Sequence, residues 1–70
     1  MKKVIEFLTE NGWEEDSEKG AEYRSFHKDG KISIDLNKYE IVFIGEEGDW
    51  LNIPLNYYEL VGALFHHRQL

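Results

Sequence analysis

The chain has no cysteine and a single proline in its 70 residues. The missing thiols exclude a disulfide framework and any thiolate zinc site, so packing alone, or packing with a second subunit, must hold the fold. Long apolar runs are missing too. No stretch approaches the ~20 residues a membrane-spanning helix needs. The opening MKKVIEFL has two lysines before apolar residues, but Glu6 interrupts and no small-residue cleavage site follows, so it does not read as a signal peptide. A soluble, cytoplasmic protein is expected, built as one domain over residues 1–70 near the lower size limit for a self-sufficient core.

Positive charge is also scarce: 8 Lys and Arg stand against 14 Asp and Glu, a net charge of −6. The excess is uneven. Glu10, Glu14, Glu15, Asp16, Glu18 and Glu22 crowd one segment in which Lys19 is the one base. A surface of that sign repels phosphate backbones, which disfavours direct nucleic-acid binding and leaves a basic protein as the natural partner.

What is present reads as α-β-β-β-(β)-α, an α+β fold with a three- to four-stranded antiparallel meander between an N-terminal and a C-terminal helix. Val4, Ile5, Phe7 and Leu8 give helical spacing from Lys2 to Asn11, and Asn11-Gly12 supplies the stop. WEEDSEKG then reads as an acidic connector without periodicity. Asp29-Gly30 signals a hairpin. A two-residue turn pairs Ser25 with Ile34, Arg24 with Asp35 and Tyr23 with Leu36, while a three-residue turn sets Phe26 beside Ile32; both registers remain open.

A tight Asn37-Lys38 turn pairs Leu36 with Tyr39, Ile34 with Ile41 and Ile32 with Phe43, which makes one face wholly apolar. A turn at Glu47-Gly48 pairs Ile44 with Leu51 and Val42 with Ile53, and Pro54 confines that strand to an edge. Asn56 caps the last helix, whose stripe is Tyr57, Leu60, Val61, Leu64 and Phe65. With both helices on the Ile34 face, Val42, Ile44, Leu51, Ile53 and, in the two-residue-turn register, Phe26 lie on the other side. Either the helices split around the sheet, or Trp13 and Trp50 fold over it, or a second molecule covers it; the expected answer is a homodimer that packs Val42 and Ile44, with Leu51 or Ile53, about a two-fold axis.

Chemistry-bearing residues are few. His66 and His67 are neighbours that diverge by about 100° on a helix and do not chelate one metal. His27 beside the hairpin turn lacks an orienting carboxylate other than Asp29, and Ser17, Ser25 and Ser33 lie in no nucleophile-elbow context. Glu46, Glu47 and Asp49 fit no calcium loop. No enzyme activity, cofactor or metal is therefore expected.

The run EEDSE is most often a solvated loop; its functional reading is an electrostatic contact through Glu14, Glu15, Asp16 and Glu18. Trp13 and Trp50 beside carboxylates suit interface anchors, although capping the end of a core is the commoner role. With Val42 and Ile44 these residues form the expected protein-interaction set. The alternative is a dimeric binder of a small-molecule or nucleotide-derived ligand, using Tyr23, His27, Trp50 and Tyr57.

The helix end FLTENGW, the meander ISIDLNKYEIVF and the closing helix LNYYELVGAL together resemble the small proteins of bacterial phages and mobile elements. The resemblance spans most of the chain and carries no catalytic motif. It implies stoichiometric inhibition of a host defence or nucleic-acid-handling complex.

Overall fold

A computed structural model describes residues 1–70 apart from the side chain of Trp50. Helix α1 spans Lys2–Glu10, followed by strands β1 (Glu14–Glu15), β2 (Arg24–His27), β3 (Ser33–Leu36), β4 (Glu40–Gly45) and β5 (Gly48–Pro54), and helix α2 (Tyr57–His66) closes the chain. The strands form one antiparallel sheet in the order β1-β2-β3-β4-β5, so every connection joins spatial neighbours. The expected α+β meander between two helices is what forms, with five strands. No helix among the described residues is long and apolar enough to cross a membrane.

Both helices contribute to one core. Val4 and Leu8 from α1 and Leu60 and Leu64 from α2 cluster with Phe26, Ile34, Leu36, Ile41 and Phe43 from the sheet. The helices meet where the Phe7 and Tyr57 rings stand edge to face, 5.7 Å between centroids. Asn56 caps α2 as its residue type dictates, its Oδ1 accepting from the Glu59 N–H at 3.1 Å. The far end is tied down as well: the Gln69 Oε1 accepts from the Ile32 N–H at 2.9 Å.

Helix α1 ends at Asn11, and Gly12 takes φ 94, a left-handed conformation that glycine adopts without a Cβ clash. This reversal drives Trp13 back under the helix. The ring is 1 % exposed, its Nε1 donates to the Ile32 carbonyl at 3.3 Å, and the Lys28 ammonium lies 4.7 Å from its centroid. Trp13 thus caps the core and is removed from the interaction set. Just beyond it the expected connector contributes β1, with Glu14 beside His27 and Glu15 beside Phe26.

Three registers differ from expectation, each for a local reason. At the first hairpin Phe26 lies beside Ile34 and Ser25 beside Asp35, because Lys31 N–H donates to the Lys28 carbonyl and closes a turn with Gly30 at φ 73. At the second, the Asn37 Oδ1 accepts from the Tyr39 and Glu40 N–H groups at 2.8 and 2.9 Å. That side-chain turn moves the loop to Lys38-Tyr39 and pairs Ile34 with Phe43 and Leu36 with Ile41. The shift is by two positions, so the apolar face survives. Tyr39, however, leaves it and is 71 % exposed.

The third difference changes faces. The turn falls at Glu46-Glu47, and Ile44 lies beside Asp49 while Phe43 lies beside Leu51. Trp50 is the extra residue of a β-bulge, so Leu51 and Ile53 face the core with Phe43 and Ile41 rather than the opposite side with Ile44 and Val42. Phe26 faces the core too. Of the five apolar residues expected on the second face, only Val42 and Ile44 are there.

Candidate protein-interaction surface

Residues side by side in a sheet share a face. Opposite the helices, one row therefore crosses all five strands as Glu14, His27, Ser33, Ile44 and Asp49. A second runs Ser25, Asp35, Val42 and Asn52, and Asp16 extends it at the β1 end, where its N–H donates to the Ser25 carbonyl at 2.8 Å. Glu40 lies beside Pro54 at the margin, and its carboxylate accepts from the Asn52 amide at 2.8 Å. No lysine or arginine occupies a strand position on this side.

The result is an apolar centre with an acidic rim. Val42 is 8 % exposed and Ile44 half-buried, while Glu14, Asp16 and Asp49 are exposed and Asp35 and Glu40 half-buried. Tyr23, just before β2 and in phase with Ser25 and His27, senses the field. Its hydroxyl is held above the ordinary tyrosine range by desolvation first, then by Glu40, Glu22, Asp49 and Asp35. Among the described residues no three carboxylate or imidazole groups converge on a metal. The charge is a field rather than a chelate.

The surface unites two parts of the sequence-based interaction set. Glu14 and Asp16 from the acidic segment share it with Val42 and Ile44. Glu18 is exposed in the β1–β2 connector. Glu15 does not take part, because its carboxylate takes a two-pronged hydrogen bond from Arg24, at 2.8 Å from Nε and 2.7 Å from Nη2. Arg24 therefore pairs with Glu15 and not with Asp35. Ser17 completes the latch, donating to Glu15 at 2.9 Å and accepting the Ser25 N–H at 2.8 Å. The Arg24 hydrogen bond pulls the Glu15 carboxyl down to about 2, against the opposing effect of partial burial and with help from Ser17.

Asp35, Glu40 and Asp49 were outside that set. The alternation of Ser33 and Asp35 with Ile32, Ile34 and Leu36 is the signal that places Asp35; Asp49 depends on the bulge and has none.

The residues of the ligand-binding alternative are not assembled. Tyr23 and His27 belong to the open face, Tyr57 packs on Phe7 in the helical layer, and the Trp50 side chain lies outside the described residues. Ser33, His27 and Asp16 do line up in the order of a nucleophile relay, with Ser33 Oγ 3.0 Å from His27 Nδ1 and Asp16 Oδ2 3.9 Å from His27 Nε2. The second distance exceeds a hydrogen bond, and both ends of that pair are exposed. Ser33 also stands on a central strand whose N–H groups point along the sheet to its neighbours, so none converge over the serine as an oxyanion site requires. His66 and His67 meet edge to face, 4.9 Å between ring centroids, at the end of α2.

Comparison of the chain with protein-family models, curated proteins and solved structures finds no match.

Proposed function

We propose that this protein is a non-catalytic binding domain that engages a basic protein partner stoichiometrically through the open face of its sheet. One observation carries the reading: Val42 and Ile44 lie at the centre of a face whose charged rim, Glu14, Asp16, Asp35, Glu40 and Asp49, is of one sign. A dry centre inside a charged rim is the anatomy of a protein interface, and the uniform sign selects a cationic counterpart. It also argues against a homodimer about Val42 and Ile44. A two-fold axis there would bring each acidic rim against its own copy.

Inhibition of a host defence or nucleic-acid-handling complex is one use of such a surface, since basic grooves are what those complexes present to phosphates. The test compares charge reversals on the two sides of the molecule. Capture from the source cell identifies a partner, which is then titrated in purified form. Glu14→Lys, Asp16→Lys and Asp35→Lys together should weaken its binding about a hundredfold or more at low salt, with the difference narrowing as salt screens the field. Glu6→Lys with Glu10→Lys, on exposed α1 positions, should leave it within about threefold. Equal losses from both sets would refute recognition by this face.

A further inference from the structure

Helix α2 contains a glycine that the fold does not require. Gly62 is at mid-helix, its φ is not left-handed, and a Cβ added there would meet nothing within 4 Å. Alanine would fit and would favour the helix, so glycine here weakens the element without any packing reason inside the protomer. The apolar residues around it are exposed, although the Tyr58 ring meets Tyr57 edge to face at 5.4 Å. Tyr58 and Phe65 are 79 % and 77 % exposed, large apolar side chains on a helix whose other side is buried.

The pattern around Gly62 is nearly its own mirror in sequence. At ~100° per residue, Tyr58 and Phe65 fall on one side of the glycine and Glu59 and His66 on the other. At ~1.5 Å per residue, Tyr58 and Glu59 stand ~6 and ~4.5 Å before it, and Phe65 and His66 ~4.5 and ~6 Å after it. A two-fold rotation through Gly62, perpendicular to the helix axis, therefore brings Tyr58 onto Phe65 and Glu59 onto His66.

We propose that α2 is a self-association surface on which a second copy of this chain packs antiparallel, with Gly62 on the two-fold axis. The missing side chain lets the helix backbones approach closely. Each Tyr58 stacks on the Phe65 of the other copy, and each Glu59 carboxylate accepts a hydrogen bond from the other copy's His66, whose imidazole has an N–H to give in either protonation state. A parallel pairing about the same glycine would set Glu59 against Tyr58 and His66 against Phe65, losing both matched pairs, so side-chain chemistry selects the antiparallel arrangement. Isologous contacts make each favourable pair occur twice. One three-turn helix pair buries less than the ~1,200 Å² at which stable interfaces begin, so the dimer forms at high protein concentration. It uses the helical layer and leaves the acidic face of each copy free.

Sedimentation equilibrium of the full chain from about 10 μM to about 1 mM should show a monomer–dimer transition. Phe65→Glu should raise the dissociation constant at least ~30-fold, and Gly62→Leu should do the same while circular dichroism shows an intact or more stable fold. Glu59→Lys should weaken the dimer about fivefold, and adding His66→Glu should restore it. A wild type that stays monomeric throughout overturns the proposal. So does a dimer that persists in both Phe65→Glu and Gly62→Leu, or one that Ile44→Lys alone dissolves.

Discussion

Phe43 and Ile44 are neighbours in the chain with opposite fates. Phe43 is fully buried between the sheet and the helices, with Phe26, Ile34, Leu36 and Ile41 around it. Ile44 is half-buried between Ser33 and Asp49 on the open side. The two faces of the sheet share every strand, and strand parity alone decides which residues stabilise the molecule and which are left for a partner. Composition along the strand does not reveal this. YEIVFIG is apolar in both phases, yet the neighbouring strands supply Phe26, Ile34 and Leu51 to one phase and Ser25, Asp35 and Asn52 to the other.

Truncating the buried side should break the comparison most sharply. Phe43→Ala removes a fully buried ring from the core to which both helices contribute, and large-to-small core changes of this kind cost ~3–5 kcal/mol. A small domain has little more than that in total. Urea denaturation should show a variant that is largely unfolded or close to it at room temperature. A loss below ~1 kcal/mol would mean that Phe43 is not in the core.

The adjacent position should respond far less. Ile44→Lys places a long side chain on an open face whose carboxylates Glu14, Asp35 and Asp49 offer it charge of opposite sign. Its aliphatic stem can still cover Val42. Stability should fall by ~1 kcal/mol or less while binding of a basic partner drops. If Ile44→Lys unfolds the protein as Phe43→Ala does, the open face is part of a core, and the assignment of the two sides fails.

Much of this was legible in the sequence, and the remainder failed for identifiable reasons. Both helices follow from apolar spacing and from end signals, Asn11-Gly12 and Asn56, that act within one turn, although Phe65, expected in the α2 stripe, is 77 % exposed. The face shared by Ile34, Leu36, Ile41 and Phe43 was legible because the second hairpin moved by an even number of positions and parity was preserved. What was not legible depended on single hydrogen bonds or single insertions. Asn37 was expected inside the loop and instead organises it from the strand end, which expels Tyr39. The bulge at Trp50 reverses the faces of Leu51 and Ile53, and an extra residue in a strand leaves no periodic signature. Strand β1 has two residues, both glutamate, too short and too polar for any propensity argument.

The surface was likewise half legible. The acidic segment and the pair Val42 and Ile44 were both visible as candidates, but nothing local says that they share a face. That depends on Gly12 turning the chain so that Trp13 is buried and Glu14 lands beside His27. The same turn separates Glu14 from Glu15, which sequence treats as equivalent carboxylates. One faces the open side, and the other is latched to Arg24.

The smallest effect tests that separation. Glu15 has a folded pKa of about 2 against an ordinary 4.5, with the Arg24 hydrogen bond as the main cause. Its folded value lies below its unfolded value, so its stabilising contribution is complete above ~4.5 and disappears as pH falls towards 2. The Glu15 and Arg24 side chains are 34 % and 44 % exposed, and solvent screening holds the pair to ~1 kcal/mol or less. Glu15→Gln should therefore unfold at a slightly lower urea concentration than wild type at pH 6, and the gap should close steadily on acidification. In an Arg24→Met background the gap at pH 6 should shrink, because the guanidinium that lowers the Glu15 carboxyl is gone. Carbon-detected NMR of the Glu15 carboxyl gives the direct measure: a midpoint near 4.5 in place of one near 2 would dissolve the latch.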